Sequence, residues 1–279
     1  MTNIRVAAPR VLLVGGGIMG SALSNGFAAT YPDTAITIID TDIISTSFRI
    51  SPRANLQIAD TPSNIADADV DLLVFAVKPQ MLMSIVPDYG RFIRSGATPV
   101  SIAAGIKIEA IRAEVPADLP VIRAMPNLPA KTRDGVTALF GDGQLSPAIR
   151  RRAEMFFESV GEVLWVRNEP NLDAVTAISG SGPAYFFAFV DALARAGVEQ
   201  GLPTDVAKKL ARQTLLGAAS LLRSRDVEPA ELKRNVCSTG GTTEAALKIL
   251  EGKNRLASLV SETVAAAHAR ARELSDLYG

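Results

Sequence analysis

The stretch Val236-Cys237-Ser238-Thr239-Gly240-Gly241-Thr242-Thr243-Glu244 gathers residue types that can act on a small anion. One helix is expected to end near Val236 and the next to begin near Thr242. Four hydroxyl residues and two glycines fill the joint. A helix N-terminus carries unpaired backbone N–H groups and the positive end of a dipole, and the hydroxyls add donors. Together they hold a carboxylate without an arginine. The candidate binding residues are therefore Ser238, Gly240, Gly241, Thr242 and Thr243, although an empty hydroxyl-rich helix cap has the same local composition.

A second such stretch lies near the start. Gly15-x-Gly17-x-x-Gly20 stands between the apolar run Val11-Leu12-Leu13-Val14 and a pattern with Ile18, Ala22, Leu23, Gly26 and Phe27 on one helical face. A glycine turn between a strand and a helix is the context that a dinucleotide fingerprint requires. Gly15 permits the tight turn, Gly17 leaves room for a pyrophosphate, and Gly20 lets the helix lie close on the strand. Ile18 and Met19 open the helix whose N–H groups would face the phosphates. Asp40 stands about twenty residues beyond Gly20, at the end of the next β-rich run, placed for the adenosine ribose hydroxyls. Ligands of an open parallel sheet bind at the carboxyl ends of its strands. Ala76, Val77, Lys78 and Pro79, then Ala103, Ala104 and Gly105, then Asn127, all fall at such ends. Small residues near position 104 would admit a flat nicotinamide ring. Lys78 is the candidate cation there, with a solvated loop lysine as the alternative. His268, the single histidine, lies in an alanine-rich helical stretch and suits a surface or interface better than catalysis. No Cys/His cluster has metal-ligand spacing, so no metal is expected.

The elements that must position these residues alternate through the first part of the chain. Strands are expected at 11–14, 35–39, 56–58, 71–77, 99–103, 121–125, 135–140 and 162–166. Helices are expected at 18–29, 42–50, 81–92, 109–113 and, capped by Ser146, to about 159. That alternation implies a mostly parallel sheet covered on both faces. From residue 171 onward only helices are expected, at 172–178, 183–200, 204–223, 228–236, 242–250 and 255–277. The predicted fold is an α/β Rossmann-type domain over residues 1–168, followed by an all-α domain over 169–279. Residues 185–190 are apolar round most of their helix, and so are residues 215–222. Such helices need cover on every side, and a hundred residues supply too little, so a second subunit is the expected cover.

Composition narrows the function class. The chain has 279 residues, 29 basic and 29 acidic, with 48% apolar residues. Balanced charge gives no reason to expect nucleic acid or an anionic membrane as partner. The apolar run at 184–190 is too short to span a bilayer. One cysteine, Cys237, excludes an internal disulfide, and a cytoplasmic location is expected.

Ser238-x-Gly240-Gly241-x-Thr243, preceded by Pro229-x-x-Leu232, resembles the signature of pyrroline-5-carboxylate reductases. Ala76-Val77-Lys78-Pro79-Gln80, Met125-Pro126-Asn127-Leu128-Pro129 and Ser179-Gly180-Ser181-Gly182-Pro183-Ala184-Tyr185 agree with it in order and spacing. The likeness runs from about Arg10 to Leu274. The resemblance implies hydride transfer from NADH or NADPH to the C=N carbon of L-1-pyrroline-5-carboxylate, giving L-proline. It implies Thr243 as the hydroxyl nearest the imine nitrogen; Lys78, from its place at a strand end, is separately expected near the substrate, attracting its carboxylate or ordering a water. It implies a homodimer with exchanged helices and, in many members, a ring of five dimers. An imine takes up a proton near neutral pH, so the lack of a catalytic histidine is no obstacle. Two positions depart from the family pattern, Thr239 for the usual proline and Leu128 for the usual threonine. Asp40 is a third point: many members carry a polar or basic residue there and use NADPH, whereas an acid favours NADH. Two other functions share parts of the pattern. A 3-hydroxyacid or 6-phosphogluconate type dehydrogenase would need a lysine soon after Gly180-Ser181-Gly182, and Pro183 follows instead. A non-catalytic NAD-sensing regulator would need no substrate loop.

Overall fold

The computed structural model describes residues 6–65, 70–143, 145–224 and 227–278. It divides into two compact units, residues 1–181 with 267–279, and residues 182–266.

In the first unit, strand β1 (Val11–Val14) leads through the glycine turn into α1 (Ile18–Thr30). Then come β2 (Ile36–Ile39), α2 (Ile43–Ser47), β3 (Leu56–Ala59) and β4 (Leu72–Phe75). Helices α3 (Pro79–Ile85) and α4 (Gly90–Arg94) precede β5 (Thr98–Ser101), α5 (Ile108–Arg112) and β6 (Ile122–Met125). The last elements are β7 (Gly135–Gly141), α6 (Pro147–Glu158), β8 (Gly161–Trp165) and α7 (Asn171–Val175). Among the described residues the strands form one sheet in the order β3-β2-β1-β4-β5-β6-β7-β8. Only the β6–β7 pairing is antiparallel.

The burial follows from the strand period. Val11 and Leu13 of β1, and Leu72 and Val74 of β4, point into one core, with α1 and α6. Leu12, Val14, Leu73 and Phe75 point into the other, with α3 and α4. A strand with both faces covered must be apolar at every position, and these are. Strand order reverses between β1 and β4, which opens a crevice at their carboxyl ends.

Several elements differ from expectation for local reasons. The helix expected at 81–92 is broken into α3, a 3₁₀ turn at Val86–Tyr89, and α4. Pro87 supplies no N–H and obstructs the preceding turn. The helix expected at 42–50 lasts only Ile43–Ser47, in a serine- and threonine-rich segment that favours turns. After α7 the chain widens into a π-turn at Thr176–Gly180, closed by Ser181 N–H donating to the Thr176 carbonyl at 2.8 Å. Ser146 does cap α6, its hydroxyl accepting from the Ile149 N–H at 3.2 Å, with Pro147 at the first position.

The compact units part at 181/182 rather than after β8, because Leu172 of α7 and Ala177 of the π-turn are fully packed within the first unit. Residues 267–278 also belong to it. There Ser275 donates to Asp173 at 2.8 Å, and Gln80 donates to the Tyr278 hydroxyl at 3.0 Å.

The second unit holds α8 (Gly182–Glu199), α9 (Thr204–Ser224), α10 (Pro229–Asn235), α11 (Thr242–Leu250) and the first half of α12 (Arg255–Tyr278). Phe186, Phe187 and Phe189 of α8 are 60%, 61% and 50% exposed, and Leu216 of α9 is 52% exposed. His268 is half-buried on α12.

A part-buried ion pair ties β6 to the segment after β8. Glu169 Oε1 accepts from Arg123 Nη1 at 2.8 Å and from the Ile108 N–H at 2.8 Å. Removing Glu169 leaves a buried guanidinium and a backbone donor without partners, which costs about 3–5 kcal/mol. Glu169→Ala is therefore expected to lower stability by about that much in urea unfolding at fixed protein concentration. Arg123→Met with Glu169→Leu should recover the part due to the stranded guanidinium but not that due to the Ile108 N–H, and equal loss in both variants would contradict this account.

Candidate active site

The crevice between β1 and β4 contains a cavity of about 410 Å³. Gly15, Gly17, Asp40, Ala76, Val77 and Lys78 line it, as the sequence motifs anticipate, with Asp88 and Tyr89 on another wall. Burial pushes the Tyr89 phenol well above its ordinary range, and nearby Asp88 adds to the shift. This tyrosine is a neutral wall.

Each glycine of the loop has its own reason. Gly15 sits at φ +105, and a Cβ there would lie 2.7 Å from the Ala76 carbonyl oxygen. A Cβ on Gly20 would lie 1.9 Å from the Gly15 carbonyl oxygen. A Cβ on Gly17 would meet nothing within 4 Å. Gly15 and Gly20 are thus needed by the protein's own packing, whereas the space at Gly17 is open. Gly17 is also the N-cap of α1, and no side chain caps that helix. Free donors, open space and a helix dipole make this end fit a pyrophosphate.

Gly16 escaped the motif. Its N–H donates to Asp40 Oδ2 at 2.5 Å, and its carbonyl accepts from Ser21 Oγ at 2.7 Å. A Cβ on it would lie 2.3 Å from Thr46 Oγ1 of α2. The third glycine in a row was the available signal. Asp40 therefore has a structural task besides lining the cavity, and its Oδ1 also accepts from the Asp42 N–H at 2.8 Å. Asp42 in turn caps α2, accepting from the Ser45 N–H at 3.0 Å; hydrogen bonding from the Ser45 side chain, and then from this N–H, holds its carboxyl below the usual carboxylate range.

The other expected cofactor residues are placed unevenly. Lys78 is the exposed N-cap of α3, with Pro79 at the first helical position. Its ammonium has no ion-pair partner among the described residues. The Met19 side chain packs toward the core under α1, and Ile18 lies 60% exposed beside a different cleft. Ala103 is buried in the second core, while Ala104 is half-exposed. Gly105, at φ +79, is packed so that a Cβ would lie 3.0 Å from the Leu274 backbone. Both ends of the Asn127 amide are occupied: Nδ2 donates to the Ser179 carbonyl at 3.1 Å and Oδ1 accepts from the Val136 N–H at 2.9 Å. That side chain braces β7 against the π-turn.

The hydroxyl-rich loop is in the second unit. Gly240 takes φ +73, the left-handed turn that brings the chain into α11. Its N–H donates to Glu244 Oε2 at 2.6 Å, so it is not available to a ligand. This bond, with Lys248 at 3.0 Å, holds the Glu244 carboxyl below its ordinary range. Glu244 was not singled out from sequence, although a Glu in the first turn is a known partner for N–H groups just before a helix. A Cβ on Gly241 would lie 2.4 Å from Ser238 Oγ, so this glycine makes room for the serine hydroxyl. No side chain caps α11, which leaves the first-turn N–H groups of Thr242 and Thr243 as donors. Ser238 and Thr242 are exposed and Thr243 is half-buried.

Residues 169–274 match the family model described as pyrroline-5-carboxylate reductase dimerisation. A pyrroline-5-carboxylate reductase of Pseudomonas aeruginosa is 37% identical over 275 residues, covering 98% of this chain and 100% of that protein. The structure of a pyrroline-5-carboxylate reductase from Coxiella burnetii superposes with a TM-score of 0.88 at 30% identity, covering 96% of this chain and 99% of that one. A pyrroline carboxylate reductase from Plasmodium falciparum, solved with NADP bound, gives a TM-score of 0.77 at 26% identity, covering 96% and 98%.

The glycine geometry separates packing from binding. Gly17→Ala is expected to leave the melting temperature unchanged while weakening dinucleotide binding about tenfold or more. Gly16→Ala should lower stability by about 1–3 kcal/mol, because the added methyl overpacks against Thr46. Thermal melts and dinucleotide titrations of both variants test this. A Gly17→Ala protein that binds normally would remove the loop from the site.

Proposed function

The chain belongs to the pyrroline-5-carboxylate reductase family, and on that premise we propose which of its residues carry the reaction. It reduces L-1-pyrroline-5-carboxylate to L-proline with NAD(P)H, the last step of proline biosynthesis. The full-length likeness to the Pseudomonas aeruginosa enzyme carries this conclusion over a hydroxyacid dehydrogenase or a non-catalytic sensor. The bound nicotinamide cofactor supplies the hydride.

The glycine loop holds the dinucleotide: the open space at Gly17 and the uncapped start of α1 receive the pyrophosphate, and Asp40 receives the adenosine ribose. Ala76, Val77 and Lys78 complete that wall. The Ser238–Thr243 loop holds the substrate. The Ser238 hydroxyl and the N–H groups of Thr242 and Thr243 bind its carboxylate, while Gly240 and Gly241 shape the turn. Thr243 donates to the imine nitrogen, or relays a proton as the iminium charge is lost. Its own hydroxyl is too weak an acid to act alone. Lys78 attracts the substrate carboxylate or orders a water. Functionally, residues 1–168 bind the dinucleotide and residues 169–279 bind substrate and dimerise.

The matched dimerisation region makes the protein a homo-oligomer. The exposed phenylalanines of α8 and leucines of α9 favour a dimer closed through these helices, and a ring of five such dimers is the assembly proposed. Among the described residues no helix is long and apolar enough to cross a membrane. With a single cysteine, a reducing cytoplasm is the proposed compartment.

Asp40 also sets the cofactor. A ribose 2′-phosphate would sit beside a carboxylate already fixed by two backbone donors. Arg49 and Arg53, the cations near in sequence, line a separate cleft, and neither forms an ion pair with it among the described residues. With pyrroline-5-carboxylate as substrate, kcat/KM for NADH should exceed that for NADPH by about tenfold, a difference of one like-charge contact. Equal or higher efficiency with NADPH would refute the assignment, and no turnover with either would refute the reaction.

The two hydroxyl roles separate by kinetics. Thr243→Val keeps shape and backbone donors, and kcat should fall about ten- to a hundredfold with a smaller change in KM. Ser238→Ala should raise KM for the imine more than it lowers kcat. Full kcat in Thr243→Val would move the proton to water or Lys78.

A further inference from the structure

We propose that the cleft along α1 is a second binding site, for a phosphorylated anion. The cleft has a volume of about 720 Å³ and is separate from the cavity at Gly15, Gly17 and Asp40. Arg49, Arg53, Lys131 and Arg133 line it, and no Asp or Glu does. The chain as a whole is balanced, with 29 acids and 29 bases, so four cations lining one cleft without an acid are a local excess. A concave wall of one sign focuses its field into the cleft.

These exposed cations have few partners within the protein, Arg49 acting electrostatically on Asp42. The side chains of Arg53 and Lys131 make no hydrogen bond or ion pair with any described residue. Arg133 gives only Nη2, at 3.3 Å, to the Gly26 carbonyl. Guanidinium forks match the oxygens of a phosphate, which they bind in pairs. The volume admits a ligand the size of a nucleotide or sugar phosphate, larger than a lone halide needs.

The cleft is mechanically joined to the glycine loop. Asn25 of α1 donates to the Arg49 carbonyl at 2.8 Å and accepts from the Ser51 N–H at 2.8 Å, which pins residues 49–51 to that helix. Those residues follow α2, whose buried Thr46 abuts Gly16. An anion that draws Arg49 and Arg53 toward α1 holds α2 on the loop, and so tightens dinucleotide binding. This coupling rests on the glycine loop being the dinucleotide site; the anion site itself does not.

The test is calorimetric titration of the whole oligomer with inorganic pyrophosphate, at constant ionic strength and with NADH saturating. One pyrophosphate per chain is expected. Arg53→Gln with Lys131→Gln should weaken it about tenfold or more, and Lys131→Arg should retain it. Melting curves show that the variants fold. In the unaltered protein, pyrophosphate should lower KM for NADH about twofold, the sign of positive linkage. No binding to the oligomer, or equal binding in the double variant, overturns the site. Competition with NADH that survives in the double variant also overturns it, because the probe then occupies the glycine loop. Binding that is lost in the double variant with KM for NADH unmoved sustains the site and overturns the coupling.

Discussion

A methyl group at position 20 would stand 1.9 Å from the Gly15 carbonyl oxygen, and the first unit is arranged around the absence of that methyl. The contact lets α1 start directly against the end of β1. Since β1 lies between β2 and β4, that junction sets where their carboxyl ends open. Gly15 completes the geometry with a positive φ and the Ala76 carbonyl close behind it. The start of α1 therefore points its unpaired donors into the crevice without any side chain there to aim them.

The two loops use the same device on unrelated frameworks. In each, a carboxylate grips the N–H of one glycine: Asp40 holds Gly16, and Glu244 holds Gly240. Each carboxylate thereby fixes its loop while leaving neighbouring N–H groups for a ligand. The local charge is then managed differently. Glu244 is paired with Lys248, so the turn it stabilises can still attract an anion. Asp40 has no such partner among the described residues and keeps its negative field on the wall of the cavity. One carboxylate is a brace whose charge is paired, and the other is a brace whose charge faces the cavity.

The helical unit answers to a different constraint. Its α8 and α9 carry more apolar surface than they bury against each other, and half or more of the area of Phe186, Phe187 and Phe189 stays exposed in one chain. Exposed aromatic surface on that scale marks an interface. Oligomerisation is in this sense part of folding, and the matched dimerisation region is the same stretch of chain.

Much of this was legible in the residues alone. The run Val11–Val14 with its glycine turn, the Ser146 cap and the helix beginning at Thr242 all depend on chain neighbours, and they appear where periodicity and turn chemistry put them. The glycine spacing and the hydroxyl-rich joint located both loops for the same reason. What tertiary structure alone decided is which polar groups are already occupied. The Asn127 amide is filled by Ser179 and Val136, Gly105 is closed by Leu274, and Gly16 lies between Asp40 and Thr46. It also decided that β6 and β7 run antiparallel, and that Arg49 and Arg53 face a cleft of their own. Turns, caps and periods are set within a few residues, where the chain itself enforces proximity. The partner of a buried amide or the wall of a cleft comes from segments tens of residues apart, and only the packed fold brings those together.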